Sequence, residues 1–347
     1  MIKYSVGYQL CPPEAESFAE IVSAYRESIS EVFFAWPEMP SGRGDVLEHS
    51  DKTQDVQQRM ETELKEIKKM GVKLDLLFNA NCYGAESLSE KLADKVRSVI
   101  EHLDSIDCGV DIVTTTSLAI AHTVKKFYPQ IEVRASVNMK IGTVKGMEYV
   151  SDLFDSFHIQ RDYNRDIAYL KELKSWADKN GKKLILLANS GCFAHCSGQI
   201  FHDNNVAHES EICKMQNIEG FNPYVCWRSL KRKSNWVKLL QNTWIRPEDI
   251  HNYEGLFDTV KLATRIHRLP GLVIDAYSRR RYFGNVLDLF EPTFSTSIAP
   301  FIIDNSAFPK NWFDKTSTCD KMCYRCNYCD EVLKKVLMNT GDFNEFC

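Results

Sequence analysis

The sequence lacks the features of membrane, secreted and strongly charged proteins. No apolar run approaches the ~20 residues that a membrane-spanning helix needs. The first residues, Met1-Ile2-Lys3-Tyr4, lead into a strand-like segment and not into the basic and apolar regions of a secretion signal. The net charge is only -4, which disfavours a nucleic-acid partner but leaves one open. We therefore expect a cytoplasmic protein with no membrane partner.

Several catalytic motifs are also missing. The chain has no G-x-G-x-x-G segment and no Walker loop, so nicotinamide and ATP are not predicted as cofactors. It has no G-x-S-x-G nucleophile elbow. His208-Glu209 begins like the zinc-protease motif H-E-x-x-H, but Ile212 stands where the second histidine would be. Neither a serine hydrolase with a nucleophile elbow nor a zinc protease of the H-E-x-x-H type is therefore predicted.

Cysteine, in contrast, is abundant, with twelve in the 347 residues. Thiols stay reduced in the cytoplasm, so closely spaced cysteines indicate metal ligands rather than disulfides. The middle group, Cys192-x3-Cys196-x16-Cys213-x12-Cys226, has one close pair and two later cysteines. That pattern suits a [4Fe–4S] cluster, whose irons sit at separate corners. Structural zinc usually draws on two close pairs, and unliganded buried cysteines are the third interpretation.

A second group, Cys319-x3-Cys323-x2-Cys326-x2-Cys329, places four cysteines within eleven residues. Its spacing is that of the bacterial ferredoxin motif C-x2-C-x2-C-x3-C read in reverse. We predict a second [4Fe–4S] cluster here, with zinc as the alternative at this site. The first three cysteines also fit C-x3-C-x2-C, the motif of radical S-adenosylmethionine enzymes. That motif normally follows the first strand of a barrel, whereas here it lies beyond the predicted barrel, so a radical enzyme is a minor alternative.

Short β-rich segments alternate with amphipathic helical patterns along most of the chain. Two predicted helices have apolar residues on one face, the first at Val56, Met60, Leu64 and Ile67, the second at Leu88, Leu92, Val96, Val99 and Leu103. Eight strands are predicted, at Lys3–Gln9, Glu31–Trp36, Lys73–Asn79, Asp111–Thr114, Glu132–Ser136, Ser156–Gln160, Lys183–Ala188 and Thr259–Leu262. Eight such units predict an α/β protein with a (β/α)8 TIM-like barrel.

The predicted barrel covers residues 1–269 and includes a cysteine-bearing insertion after strand seven, at residues 191–247. This stretch is too long for an ordinary loop. Residues 270–347 form a C-terminal extension that carries the second cysteine group.

Several predicted strands end in polar or reactive residues. The ends are Trp36-Pro37-Glu38, Asn79-Ala80-Asn81-Cys82, Ser136-Val137-Asn138, His158 to Arg161, and Asn189-Ser190-Gly191-Cys192. Each polar residue alone could be a turn residue that satisfies nearby backbone groups. Because the carboxyl ends of barrel strands share one face, a common pocket is the better interpretation.

From this pocket we predict two sets of functional residues. The predicted catalytic residues are His158, Arg161, Glu209 and Lys261, and the predicted substrate-binding residues are Asn79, Asn138, Asn189 and Arg265. A histidine with a near-neutral pKa suits proton transfer. Lys261 and Arg265 suit a carboxylate or phosphate of the substrate, and a salt bridge inside the barrel is the alternative for both.

Two segments resemble the collagenase-like peptidases of unassigned catalytic type. One is Asn189-Ser190-Gly191-Cys192-Phe193-Ala194-His195-Cys196-Ser197-Gly198; the other is Arg246-Pro247-Glu248-Asp249-Ile250 followed by Phe257–Arg265, which is similar to the family's closing Asp-Ser-x-Lys-Ile-Glu-Gly-Arg strand. The resemblance covers about residues 1–270. It implies a (β/α)8 barrel with an iron–sulfur site at its mouth, carried here by Cys192, Cys196, Cys213 and Cys226.

The chain departs from that family at three points. Gln199-Ile200 follows Gly198 where the family usually has a cysteine, and Ala263-Thr264 replaces Glu-Gly, so no role of that glutamate carries over. The terminal cysteine group is not part of the family pattern.

The resembled family includes oxygen-independent RNA and quinone hydroxylases as well as peptidases. Our main hypothesis is an iron–sulfur redox enzyme, such as an oxygen-independent hydroxylase, that binds its unknown substrate at the barrel mouth. A peptidase and a non-catalytic electron-transfer or assembly protein are the alternatives. An electron donor or a homologous protein is the expected partner.

Overall fold

The computed structural model describes residues 1–12, 14–37, 39–43 and 53–341. Eight parallel strands close into a barrel in chain order, with the first strand beside the eighth, so the (β/α)8 prediction is confirmed. Each predicted strand is present, with ends that differ by at most two residues: β1 Lys3–Gly7, β2 Ile29–Ala35, β3 Lys73–Phe78, β4 Ile112–Thr115, β5 Glu132–Ala135, β6 Ser156–His158, β7 Lys183–Leu187 and β8 Thr259–Leu262. Glu38, predicted at the mouth after β2, lies outside the described residues.

Each barrel strand is followed by a helix, and further helices lie in the insertion after β7 and in the C-terminal extension. They are α1 Phe18–Ala24, α2 Thr53–Lys69, α3 Glu90–Ser105, α4 Leu118–Phe127, α5 Val144–Glu148, α6 Ile167–Lys179, α7 Gln199–Ala207, α8 Glu209–Ile212, α9 Val225–Leu230, α10 Pro270–Ser278, α11 Ser295–Ile298, α12 Trp312–Ser317 and α13 Tyr328–Val336. A 3₁₀ segment, Pro247–Tyr253, precedes β8 and buries Ile250 and Tyr253 in the barrel core. No helix in the described ranges is long and apolar enough to cross a membrane.

One helix starts later than the apolar pattern predicts. Leu88 is 92% exposed and lies before α3, because the hydroxyl of Ser89 accepts a hydrogen bond from the amide of Leu92 and so caps the helix there. The later apolar residues of the pattern, from Leu92 to Leu103, are buried as expected.

The barrel interior is unusually polar. Such barrels are normally filled with branched apolar side chains, but here Arg134 of β5 is fully buried and donates two hydrogen bonds to Glu31 of β2, at 2.7 and 3.0 Å. It also donates to Glu132 at 2.8 Å and lies 3.6 Å from Asp75 of β3. This guanidinium therefore links carboxylates from three strands, and Lys183 and Lys261 add positive charge beside Glu132 and Asp75.

The insertion after β7 and the C-terminal extension share a second hydrophobic core. Trp244 from the insertion stacks on Phe290 and on Trp312 of the extension, with ring centroids 4.8 and 5.9 Å apart. The extension also forms a small antiparallel sheet of β9 Phe301–Ile303 and β10 Leu337–Asn339. Since α10 buries Val273, Ile274 and Tyr277 in the barrel core, the extension begins as part of the barrel. The division of the chain at residue 269 stays a prediction.

Replacing Arg134 by methionine tests the polar interior. Arg134→Met leaves Glu31, Glu132 and Asp75 without their shared cation, so we expect the free energy of unfolding to fall by about 3–5 kcal/mol. Lys174→Met is the matched control, because Lys174 pairs with Asp178 on the surface of α6 at 2.5 Å and such pairs contribute less than about 1 kcal/mol. Denaturant unfolding of both variants measures the difference. Equal losses would show that the interior network is not what stabilises the barrel.

Candidate metal centres at the barrel mouth

The segment after β7 holds the first cysteine of the middle group at the barrel mouth. The amide of Gly191 donates to the Glu291 carbonyl at 3.0 Å, and its own carbonyl accepts a hydrogen bond from Asn242 at 2.8 Å. Asn189 donates to the carbonyls of Ala263 and Leu289, at 2.9 and 3.0 Å. The predicted substrate-binding residue Asn189 therefore joins β7 to the barrel and the extension, and Cys192 follows on a firmly anchored backbone.

Three of the four predicted ligands of the middle group line one cavity of about 410 Å³. Cys192 and Cys196 come from the turn after β7, whereas Cys226 comes from α9. Other lining residues are Arg43, Arg161, Phe193, Gln199, His202, Asp203, Val206, Glu209, Tyr224, Trp227, Ile266, Glu291 and Pro292. We name this the thiol cavity.

Cys213 stands apart from the other three cysteines. It follows α8 on an exposed stretch and is not among the residues that line the thiol cavity, although its charge acts on Tyr224, which does line it. Within the described ranges, no three His, Cys, Asp or Glu side chains are placed to hold a single metal ion. A [4Fe–4S] cluster binds its thiolates at separate irons, a wider arrangement than that around one ion.

Arginine charges favour ionisation at one end of the thiol cavity. Burial opposes ionisation of the Cys192 thiol, but Arg161 and Arg43 outweigh it and hold its pKa below the usual value. Asp203 acts in the opposite direction. Burial and the neighbouring thiols raise the pKa of Cys226 to about 11. Cys192 is therefore more readily converted to a thiolate than Cys226 is.

The predicted residue Arg161 is buried beside these thiols. It is 5% exposed, and its Nη1 donates to the hydroxyl of Ser190 at 3.3 Å. It forms no ion pair within the part of the chain that the structure describes, whereas Arg43 pairs with Glu291 at 3.2 Å. Arg161 acts on the Asp162 carboxylate only electrostatically, without a direct ion pair among the described residues.

A second cavity, of about 510 Å³, adjoins the thiol cavity, and Arg43, Val206 and Glu209 line both. Its other lining residues are Met39, Pro40, Ser41, Cys82, Tyr83, Gly84, Ala85, Glu86, Ala207, His208, Ser210 and Glu211. The structure therefore places the predicted catalytic residue Glu209 at the boundary between the two cavities.

Three predicted substrate-binding residues support the wall that carries Arg43. The side-chain oxygen of Asn79 accepts a hydrogen bond from the Gly42 amide at 2.9 Å, and Asn138 donates to the Asn79 carbonyl at 3.3 Å. Arg265 donates to the carbonyl of Arg43 at 3.2 Å. A methyl group on Gly42 would lie 2.5 Å from the Asn138 amide nitrogen, which leaves room only for glycine.

His158 and Lys261 do not line either cavity, because their strand positions turn both side chains into the barrel. His158 is buried, its Nδ1 lies 3.1 Å from the Ala135 carbonyl, and burial holds its pKa well below the usual value. The Lys261 ammonium lies 3.6 Å from the Phe33 ring centroid, and burial lowers its pKa to about 8. Burial also raises the pKa of Asp75, whose charge acts on Lys261, to about 6. These groups belong to the interior network.

The terminal cysteines surround a third cavity, of about 180 Å³, next to the middle group. Cys319, Cys323 and Cys329 line it, and Cys326 is exposed nearby with a charge that acts on Cys329. Its other lining residues are Asp162, Arg165, Ala194, His195, Leu240, Gln241, Asn242, Thr243, Thr316 and Lys321. We name this the terminal cavity.

Several functional residues escaped prediction from the sequence. Asp162 and Arg165 lie in the same loop as Arg161, directly after β6, so the rule that selected Arg161 could have selected them as well. Neither Arg43 nor Glu291 directly follows a predicted strand, so the same rule could not have selected them. Glu291 reaches the mouth only because the extension lies against Ser190 in a parallel bridge.

Comparisons with known proteins show a relative along nearly the whole chain. An uncharacterized protease of Methanocaldococcus jannaschii is 24% identical over 328 residues, which cover 93% of each protein. The solved structure of a U32 peptidase matches with a TM-score of 0.53 at 17% identity, covering 75% of this chain and 92% of the other. No family model matches the chain. The chain is thus homologous to the M. jannaschii protein, and the structural likeness supports the barrel fold alone.

Gly191→Ala tests how tightly the mouth backbone is held. An added Cβ would overlap the Pro292 carbonyl oxygen, so we expect the free energy of unfolding to fall by about 1–3 kcal/mol. Gly271→Ala in α10 is the control, since no atom lies within 4 Å of its added Cβ and alanine favours a helix. Thermal unfolding of both variants measures the effect. A Gly191→Ala protein as stable as the control would contradict the close approach of the extension to this turn.

Proposed function

We propose that the chain is an iron–sulfur-dependent redox enzyme whose cluster is held at the barrel mouth by Cys192, Cys196, Cys213 and Cys226. The convergence of three thiols from two separate segments on one cavity carries this proposal. A single free thiol is often buried as a small hydrophobic group. Here three thiols supply ligands for a cluster, and the buried arginine beside them supplies positive charge that offsets the negative charge of a thiolate-bound cluster.

The charge of Arg161 supports the same assignment. A buried cation without a counter-charge is unfavourable, and thiolates bound to a cluster supply negative charge beside it. Cys213 is the ligand that would have to move. It begins an exposed stretch, residues 213–221, where little packing opposes a change of position.

The adjoining cavity of about 510 Å³ is the proposed substrate site. Arg43 would bind an anionic group of the substrate, and Glu209, at the boundary of the two cavities, would accept or return a proton. A bound cluster supplies single electrons, taken from a donor protein and passed to the substrate, so it is unchanged over one turnover. Oxygen-independent hydroxylation with water as the oxygen source would run the electrons the other way, because the substrate loses two electrons, which the cluster would pass one at a time to an acceptor protein. A homologous protein is the alternative partner. We further propose a cytoplasmic location, where the cysteines stay reduced.

A peptidase is the second candidate, because the homologous M. jannaschii protein is named as a protease and the similar solved structure as a peptidase. The thiol cavity offers one thiol-based route. Cys192 has a lowered pKa, and His202 lines the same cavity with a pKa lowered by burial and by Arg43, so it can accept a proton. Both names support an enzyme, and they favour peptide hydrolysis over redox chemistry.

Metal analysis of Cys192→Ser decides between the two. Protein purified without oxygen should contain iron and acid-labile sulfide, and Cys192→Ser should lose about four of each per chain, because a cube holds four irons. Cys108→Ala is the control, since Cys108 is buried just before β4, at the opposite end of the barrel. The measurement is iron, sulfide and zinc per chain.

Three results would go against the redox proposal. Zinc without sulfide, or an iron content unchanged in Cys192→Ser, would remove the cluster from the barrel mouth. Hydrolysis of a denatured protein substrate by iron-free protein, abolished by both Cys192→Ser and His202→Gln, would establish the peptidase instead.

A further inference from the structure

One buried arginine beside the terminal cavity forms no ion pair among the described residues. Arg165 is 9% exposed, and it lines the cavity together with Cys319, Cys323 and Cys329. Its Nε and Nη1 donate to the carbonyls of Trp244 and Leu240, each at 2.9 Å. Its Nη2 is buried and has no hydrogen-bond partner among the described residues.

The surroundings fix this guanidinium in place but do not neutralise it. It lies 4.4 Å from the Trp244 ring centroid and 5.2 Å from that of Trp312. Asp249 attracts it more strongly than Cys319 does, but no carboxylate in the described part of the chain forms an ion pair with it. The charges that act on Arg165 from the cavity are those of Cys329 and Cys319. An anion bound in the adjoining cavity would stabilise this buried guanidinium.

Three of the four terminal cysteines line one cavity, and the fourth, Cys326, lies within electrostatic range of Cys329. Cys329 lies within electrostatic range of Cys319, Cys323 and Cys326. The backbone amide of Lys321 donates to the sulfur of Cys319 at 3.2 Å, as amides do around cluster sulfurs. We infer that the terminal cavity binds a second iron–sulfur cluster, whose negative charge Arg165 balances and whose potential it raises.

A single residue joins the two cysteine sites. Asp162 accepts a hydrogen bond from the His195 amide on its carboxylate, at 2.6 Å, and from the Lys321 ammonium on its carbonyl, at 2.8 Å. His195 lies between Cys192 and Cys196 in the chain, and Lys321 lies between Cys319 and Cys323. Ala194 and His195 also form part of the wall of the terminal cavity. The two sites are therefore separated by one turn of chain.

This proximity gives the terminal cluster its role. This role rests on the proposed function of the barrel-mouth site. The terminal cluster would accept one electron from a donor protein and pass it to the barrel-mouth cluster across the turn at residues 193–196. The exposed Cys326 marks the side open to the donor, whereas the three cysteines that line the thiol cavity are partly buried. The four thiolates stay bound throughout, and only the iron changes oxidation state.

Iron counts separate the two sites. Wild-type protein purified without oxygen should hold about eight irons and eight sulfides per chain, and Cys329→Ser about four of each. Zinc without sulfide at the terminal site, or an iron content unaffected by Cys329→Ser, would overturn the inference. If Cys192→Ser keeps all its iron while Cys329→Ser loses iron, the proposed function fails and the terminal cluster stands.

Redox titration tests the role of Arg165. Arg165→Met removes a buried charged donor, so at a fixed potential the ratio of reduced to oxidised terminal cluster should fall roughly tenfold. Arg165→Lys keeps the charge and should recover most of that loss, which separates charge from packing. Arg325→Met is the control, because Arg325 is an exposed neighbour paired with Asp320 at 2.6 Å. A terminal cluster in Arg165→Met that titrates like the control would contradict the inference.

Rapid-mixing kinetics test the relay. A reduced [4Fe–4S] ferredoxin, which is too large to enter the thiol cavity, should reduce the barrel-mouth cluster of Cys329→Ser at least tenfold more slowly than in wild type. An unchanged rate in a variant that retains its barrel-mouth iron would exclude electron transfer through the terminal site.

Discussion

The guanidinium groups of Arg161 and Arg165, four residues apart after β6, set the charge that each cysteine site has to balance. Both are buried, and in the described ranges neither pairs with a carboxylate. Elsewhere in the molecule a buried arginine is compensated by the protein itself, as Arg134 is by Glu31 and Glu132. Arg161 and Arg165 have no such ion pair among the described residues and each lines a cavity with cysteines, so a thiolate-bound cluster at each site would supply the negative charge.

The same loop depends on packing far from it in sequence. Arg165 lies beside Trp244 of the insertion and Trp312 of the extension, so its position at the terminal cavity depends on contact between these two parts of the chain. The extension also supplies Glu291, which pairs with Arg43 at the boundary between the two cavities of the barrel mouth. The segment after β8 is therefore a component of the barrel mouth and not an appended module.

The barrel could be predicted from the sequence because its signals are local. Alternating strands and helices gave all eight strands within two residues, and the cysteine spacing placed both candidate sites. The depth of a side chain in a barrel is not a local property, which is why His158 and Lys261, expected at the mouth, lie inside the barrel. Arg165 was missed for a similar reason, since its burial depends on two tryptophans 79 and 147 residues further along the chain.

The central claim is that two iron–sulfur clusters lie within one turn of chain of each other. Low-temperature electron paramagnetic resonance of reduced protein, purified without oxygen, tests it most directly, because neighbouring paramagnets split or broaden each other's signals. We predict a spin-coupled spectrum in wild type and a single uncoupled cluster signal in both Cys192→Ser and Cys329→Ser. A wild-type spectrum with one uncoupled cluster, or with no cluster signal, would contradict the account.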